Sequence, residues 1–495
     1  MTTLTREDWE KRAAGLDLPG GAVIDGQVVG ARGGATFANY SPTTGDVINE
    51  VAAGDVSDVD AAVAAARRAF DQGDWARSAP SHRKKVLLRL ASLIRENAEE
   101  LALLESLDMG KPITDALTAD VPGAAGVWQW HAEAIDKLYD EVAPTGPGDL
   151  ALVRREPLGV VGAVVPWNFP LDMASWKCAP ALATGNSVVL KPAEQSPLTA
   201  LRLAGLALEA GVPAGVFNVV PGLGETAGQA LGRHLDVDCL AFTGSTEVGK
   251  FFLRYSAESN AKAVWLELGG KSPNVVFADV ASLEDAAAAA ATGIFFNAGE
   301  VCSANSRLLV QRDVKDELVA LLAQKAEEMR PGHPLDPASP MGALVTREHT
   351  DRVMGFVESG RSSARLVVGG ERLTLSSDCY VTPTIFDGVT NDQLIARDEI
   401  FGPVLSVITF DDEDEAIAIA NDTRYGLAAS VWTSDLSRAL RTSDRLHAGT
   451  VSVNTVDALS PMTPFGGFKE SGVGRDLSLH AFDKYTGLKT TWISY

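Results

Sequence analysis

Cys239-Leu240-Ala241-Phe242-Thr243-Gly244-Ser245-Thr246-Glu247-Val248-Gly249 is a short apolar run that breaks at a Gly-Ser pair. Residues 239–242 read as a buried strand, and 246–256 has the spacing of a helix. A strand that feeds a helix through a tight turn is half of a parallel crossover unit. The alternation recurs on the amino-terminal side: 160–165, 187–190 and 217–220 read as buried strands, with 199–210 as a helix among them. A second series begins near 274–277 and runs through 283–296, 307–310 and 314–329. The expected class is α/β, with two doubly wound parallel-sheet domains that meet near residue 270. Upstream, 58–70 reads as an Ala-rich helix and 81–107 as one longer amphipathic helix with Leu87, Leu90, Leu93 and Ile94 on one face. Residues 150–155 and 490–494 look strand-like but belong to neither series.

The chain has 495 residues, too many for one ordinary core. It is 46% hydrophobic and 22% charged, as soluble globular proteins are. The net charge of −22 repels phosphate backbones and disfavours nucleic acid, so no nucleic-acid partner is expected. The four cysteines, Cys178, Cys239, Cys302 and Cys379, are far apart and form no Cys-x-x-Cys. That suits a reducing compartment and neither a disulfide framework nor a metal site. Cys178 and Cys239 sit in apolar contexts that suit inert core, and Cys379 lies in a Ser/Asp-rich stretch that suits a loop or strand edge. The amino terminus lacks the basic and apolar regions of a signal peptide, and no run approaches about 18 apolar residues. A cytoplasmic enzyme without membrane attachment is expected.

Two segments suit a phosphate-bearing cofactor. Gly244 allows close backbone approach, and Ser245 opens a helix whose N-terminus can hold a phosphate; the plain alternative is an ordinary N-cap. Pro221-Gly222-Leu223-Gly224 comes near a Gly-x-Gly-x-x-Gly pattern, but the next glycine is Gly228. Lys191 and Glu194 follow strand 187–190 at its carboxyl end, where open α/β sheets bind ligands. Three further segments carry acyl-transfer tools. Cys302 lies in Phe-Phe-Asn-Ala-Gly-Glu-Val-Cys-Ser-Ala-Asn-Ser-Arg (295–307), Glu267 in Leu-Glu-Leu-Gly-Gly-Lys-Ser-Pro-Asn (266–274), and Asn168 in Pro-Trp-Asn-Phe-Pro (166–170). A thiol attacks carbonyl carbon, a carboxylate activates water, and an amide donates to an oxyanion. The bland readings are a core cysteine and a strand-end carboxylate.

Together with Leu-Lys-Pro-Ala-Glu (190–194), Phe-Thr-Gly-Ser-Thr-Glu-Val-Gly (242–249), Glu-Ile-Phe-Gly-Pro-Val (399–404) and Pro-Phe-Gly-Gly-Phe-Lys-Glu-Ser-Gly-Val-Gly-Arg-Asp (464–476), these segments resemble the aldehyde dehydrogenase superfamily from about residue 20 onward. The resemblance implies an NAD-binding domain over 1–140 and 157–269 and a catalytic domain over 270–482. It also implies a small β lobe over 141–156 and 483–495 that makes a homodimer or homotetramer. It implies NAD held by Pro166, Trp167, Lys191, Glu194, Gly224, Phe242, Gly244, Ser245, Leu268, Glu399 and Phe401. Glu194 accepts from ribose hydroxyls and repels a 2′-phosphate, which favours NAD over NADP. In the implied reaction Cys302 attacks an aldehyde, Asn168 and the Cys302 N–H hold the oxyanion, hydride leaves to nicotinamide, and Glu267 activates water against the thioester. Glu267 favours release of a free acid over transfer to CoA. Glu300 departs from the glutamine that many members carry there; a charge turned inward would raise the Cys302 pKa.

Within the superfamily the chain most resembles ω-aminoaldehyde and γ-glutamyl-γ-aminobutyraldehyde dehydrogenases, with betaine-aldehyde enzymes nearby. The runs 130–137, 331–337 and 476–480 carry that likeness. It implies a substrate passage bordered by Asp120 and Asp457, walled by Phe169, Trp176 and Phe465, and closed at the thiol by Val301 and Ser303. Leu117 and Ser460 stand where some aminoaldehyde enzymes place further acids. The plain readings are a helix N-terminal carboxylate for Asp120 and core packing for the aromatics. The rival is a broad-specificity aliphatic or aromatic aldehyde dehydrogenase. A cysteine hydrolase would need a histidine partner, and the seven histidines show no catalytic motif. A non-catalytic protein on this fold would be free to lose the set that is intact here.

Overall fold

The computed structural model describes residues 4–495. Five parallel strands form the centre of one sheet, in the spatial order Phe217–Val219, Ser187–Lys191, Val160–Val164, Cys239–Thr243, Ala263–Glu267. The middle three are buried at every residue, and so they read as apolar runs and not as alternations. The hairpin Ala22–Ile24 and Gln27–Val29 closes one edge, antiparallel. At the other edge Gly472–Val473 pairs antiparallel with Leu266 and Glu267.

Chain order reverses between Val160–Val164 and Cys239–Thr243. The connections that leave these two neighbours diverge, and a crevice opens at their carboxyl ends. Pro166, Trp167 and Asn168 lie on one bank, Gly244 and Ser245 on the other.

The second sheet runs Arg365–Val368, Thr384–Asp387, Val404–Phe410, Arg307–Gln311, Pro273–Val276, Ala428–Trp432, Thr450–Val453. Only its outermost pair, Arg365–Val368 with Thr384–Asp387, is antiparallel. A third, three-stranded sheet joins Thr486–Ser494, Asp149–Pro157 and Glu141–Ala143. It leaves Val142, Leu488 and Trp492 exposed. The α/β architecture with two doubly wound sheets and a small β lobe is the one expected.

The expected helix over 81–107 is two helices, Pro80–Glu96 and Ala98–Met109. Leu87, Leu90, Leu93 and Ile94 are buried on one face as their spacing requires. Asn97 ends that face: its backbone leaves helical values (φ −107°, ψ 26°) and its amide donates to the Leu93 carbonyl at 2.7 Å. An asparagine that bonds its own backbone breaks a helix without disturbing the apolar period. Among the described residues no helix is long and apolar enough to cross a membrane.

Candidate active site

The carboxyl ends of the first sheet face the amino ends of the second, and the acyl-transfer residues sit at that junction. Glu267 is the last residue of Ala263–Glu267, opposite Gly472. Gly472 has φ 121°, and a side chain there would collide with the Leu266 carbonyl. Cys302 precedes the strand Arg307–Gln311. The loop that delivers it leaves helix Leu283–Phe295 through three consecutive left-handed residues, Asn297 (φ 49°), Ala298 (φ 55°) and Gly299 (φ 73°). Such backbone costs about 1–2 kcal/mol at each non-glycine residue. The Asn297 amide holds it by donating to the Asn168 and Glu300 carbonyls, both at 3.2 Å.

Cys302 is the one cysteine with solvent access; the other three are buried. Burial pushes its thiol well above the ordinary range, and the charges of Glu267, Asp457 and Glu399 push the same way. Glu267 is 3% exposed and neither carboxyl oxygen has a hydrogen-bond partner. Burial pushes it up to about 8; Lys177 draws it down and Asp476 pushes it up. Asp476 is buried between the ammonium groups of Lys177 and Lys484. Burial raises Asp476, but the two lysines outweigh it and hold that carboxyl below its usual range. The Asn168 amide donates to the Glu300 carbonyl at 2.8 Å. That uses one of its two N–H groups and leaves the other for an incoming oxygen. Sequence reasoning passed over Lys177, Asp476 and Lys484, although a lysine inside the apolar helix Pro170–Ala183 was a signal of a buried partner.

On the crevice side, Ser245 caps helix Thr246–Ala257 by accepting from the Val248 N–H at 3.3 Å. Ser245 is exposed, so the first N–H groups of that helix open onto the crevice. A side chain at Gly244 would press into the Phe242 ring, and one at Gly249 into Leu268, while nothing lies within 4 Å of a Cβ placed on Gly224. Lys191 is buried and donates to Glu194 at 3.1 Å; Glu194 is half-exposed. A cavity of about 480 Å³ begins at Glu194 and Leu223 and runs toward Arg347 and Cys379. Glu399 accepts from the Gly270 N–H at 3.0 Å, and burial raises it to about 7. Phe401 is left-handed (φ 60°) and packs edge-on against Trp167 at 5.2 Å.

The expected substrate residues divide. Phe169 stacks with Phe296 at 6.3 Å, and the Ser303 hydroxyl donates to Asp457 at 2.6 Å. Trp176 and Phe465 meet edge-on at 5.4 Å and are buried in the first core, and Val301 is buried in the second. Asp120 is a correction. It is not an open carboxylate at a mouth but wholly buried, 2.8 Å from Lys111, which also holds Glu105 at 3.2 Å. Lys111 in turn lies 4.0 Å from the centre of the Phe169 ring. An uncompensated charge cannot stay there, and the lysine supplies the compensation. Asp172 was missed. It stands three residues after Phe169 and four before Trp176, on the same helix face. It is only partly covered, one of its carboxyl oxygens has no partner, and burial followed by the charges of Asp120 and Glu105 pushes it well above its usual range. Glu300 turns away from the thiol, and its carboxyl accepts from the Val345 N–H at 3.0 Å.

The model of the aldehyde dehydrogenase family matches residues 29–491. The chain is 52% identical over 486 residues to the NADP/NAD-dependent aldehyde dehydrogenase PuuC of Escherichia coli (strain K12), which covers 98% of each chain. Among solved structures, the P. syringae AldA indole-3-acetaldehyde dehydrogenase C302A mutant in complex with NAD+ and IAA superposes with a TM-score of 0.99 at 56% identity, over 100% of both chains. The gamma-glutamyl-gamma-aminobutyraldehyde dehydrogenase from Burkholderia cenocepacia J2315 superposes with a TM-score of 0.98 at 58% identity, over 99% of this chain and 100% of that one.

Proposed function

The chain belongs to the aldehyde dehydrogenase family, and from that premise we propose that it oxidises an ω-amino or γ-glutamylamino aldehyde to the free acid with NAD. The observation that carries the chemistry is the partnerless Glu267 carboxyl beside the Cys302 thiol, with the Asn168 amide across the same junction. The residues present fit a dinucleotide. A helix N-terminus opens on a switch-point crevice, Gly244 and Gly224 leave room for backbone contact, and Lys191 with Glu194 offers a donor and an acceptor to a ribose. Glu399 and Phe401 would hold the nicotinamide half. Relatives solved with NAD+ support the same choice.

Ionised Glu267 takes the proton of the Cys302 thiol, and the sulfur attacks the aldehyde carbon. The free N–H of Asn168 and the Cys302 N–H receive the oxygen as it gains charge. When bound, NAD supplies the acceptor for the hydride, which leaves an acyl thioester on Cys302. Glu267 gives that proton up to solvent and, ionised again, draws a proton from water, whose oxygen adds to the thioester carbonyl; the adduct collapses, the acid leaves, and the departing sulfur takes the proton back from Glu267. Burial makes Glu267 hold a proton more tightly, and Lys177 and Asp476 adjust that in opposite directions.

The amine-bearing substrate is favoured by relatives named for such aldehydes, and by Asp172, partly covered beside Phe169, whose carboxyl an incoming ammonium group would draw into its ionised form. An aromatic aldehyde is the second reading, favoured by the Phe169–Phe296 stack and by a neighbour named for indole-3-acetaldehyde. The first sheet would bind cofactor and the second carry the nucleophile. The exposed Leu488 and Trp492 of the small sheet would pair copies into a dimer or tetramer, and four free cysteines suit a reducing compartment such as the cytoplasm. The test is kcat/KM across 3-aminopropanal, 4-aminobutanal, its γ-glutamyl derivative, betaine aldehyde, hexanal, benzaldehyde and indole-3-acetaldehyde, for the wild type and Asp172→Leu. Preference for the cationic members that Asp172→Leu abolishes supports the first reading. Preference for indole-3-acetaldehyde supports the second, and flat rates refute both.

A further inference from the structure

Two strained segments are pressed together beside the thiol. One is 297–299, and a side chain on Gly299 would collide with the Gly402 carbonyl. The other is Phe401, a bulky residue in a conformation that bulky residues avoid. Helix Arg347–Ser363 grips the second segment. Its His349 Nε2 meets the Phe401 carbonyl at 2.6 Å, and its Arg352 donates to the Ile400 carbonyl at 2.6 Å and the Glu399 carbonyl at 2.7 Å. Three successive carbonyls are therefore held by two residues one helical turn apart.

The same helix reaches the first segment through Glu300. Its carboxyl takes the Val345 N–H at 3.0 Å, directly before Thr346, which caps the helix. His349 Nε2 lies 3.7 Å from that carboxyl. The Glu300 carbonyl receives the Asn168 amide, and Trp167, next to Asn168, packs on both His349 (5.4 Å) and Phe401 (5.2 Å). The contacts close a circuit: Asn168, Glu300, His349, Phe401, Trp167 and back.

We propose that Glu300 and His349 are a positioning pair that fixes the loop of the nucleophile and its oxyanion donor to the loop that meets the nicotinamide half of the cofactor. Glu300 is fully buried with no cation in hydrogen-bond contact, and burial pushes its carboxyl well above the usual range, toward the neutral form; burial likewise favours neutral His349, with its pKa down at about 4. A neutral pair suits a scaffold role, since neither member adds charge next to the thiol. The glutamic acid is thereby the near-isostere of the glutamine common elsewhere. The NAD part of this inference rests on the function proposed above; the coupling of the two loops does not.

The experiment compares His349→Ala, His349→Gln, Glu300→Ala and Glu300→Gln in the full chain. Without cofactor, amide hydrogen exchange and iodoacetamide alkylation of Cys302 are followed. His349→Ala should speed exchange at 296–302, and Glu300→Ala should speed it at 399–403, each in the loop that the other residue touches. Alkylation of Cys302 should change several-fold in both. With NAD, His349→Ala should raise KM for NAD about tenfold, the cost of one buried hydrogen bond, with a smaller effect on kcat. His349→Gln keeps a donor and should restore both readouts, and Glu300→Gln should match the wild type. The proposal is overturned if each alanine variant loosens only its own loop, or if the glutamine variants behave as the alanine variants do. Failure to use NAD, with reciprocal exchange intact, would sink the cofactor assignment and leave the coupling standing.

Discussion

Glu267 should impose a pH dependence on the release of acid. Its carboxyl is buried without a hydrogen-bond partner and is pushed up to about 8. A base with that pKa is ionised in about one molecule in ten at pH 7 and about nine in ten at pH 9. Thioester hydrolysis should therefore rise about tenfold over that span, with its midpoint near 8. Stopped-flow NADH formation reads this directly. At pH 7 a burst near one equivalent per site should precede a slower steady state, and that steady state should climb about tenfold toward pH 9. Asp476→Asn provides the internal control. Asp476 raises Glu267 and Lys177 lowers it, so removal of the aspartate charge should move the midpoint to lower pH. A hydrolysis rate that stays flat from about pH 6.5 to 9, or a midpoint that Asp476→Asn moves upward, would refute the assignment of Glu267 as the base. Stability runs in the opposite sense. A carboxyl whose folded pKa is raised contributes stability at low pH and loses it as pH rises through that pKa, so the enzyme should be most active where it is less stable.

Gly299→Ala should lose activity and about 1–2 kcal/mol from the left-handed backbone alone, before the collision with Gly402 is counted; full activity with an unchanged urea midpoint would show that the loop is not strained. Lys111→Met removes the only cation among the described residues that is hydrogen-bonded to buried Glu105 and Asp120, and should destabilise the fold by about 3–5 kcal/mol. The loss should deepen with rising pH as the carboxyls are forced to ionise, and a loss under about 1 kcal/mol at pH 8 would contradict the buried-pair reading. Glu194→Gln should lower the NAD-to-NADP ratio of kcat/KM about tenfold, the scale of one like-charge contact near solvent. An unchanged ratio would show that this carboxylate does not select the cofactor.

Six strands of the two larger sheets, read at 160–165, 187–190, 217–220, 239–242, 274–277 and 307–310, were legible to within a residue or two, because parallel strands covered on both faces appear as short apolar runs; Ala263–Glu267, the strands of these sheets after residue 360 and their antiparallel edges were not singled out. The motifs around Asn168, Glu267 and Cys302 were legible because each keeps a functional group at a strand end, where glycines and prolines punctuate the chain. The break at Asn97 was hidden, since one residue can turn a helix without altering the apolar period on either side. The ion pair of Asp120 was hidden for another reason. Its partner Lys111 is brought to it by the turn at Gly110, and spacing alone does not tell a surface charge from a buried one. Asp172 was within reach, because 169, 172 and 176 share a helix face. The contact of His349 with Phe401 spans elements far apart in the chain, and no local pattern announces it.

The short strand Gly472–Val473 has a consequence for biosynthesis. Glu267 is pinned by pairing with Gly472, and Asp476, which tunes it, follows four residues later. At about 5–20 residues per second, the ribosome delivers Cys302 roughly 10–30 s before residue 473 exists. During that interval the nascent chain carries the thiol and the carboxylate without the strand that aligns them. On the proposed mechanism the nucleophile is thus made early and armed late, by the order in which the chain is written.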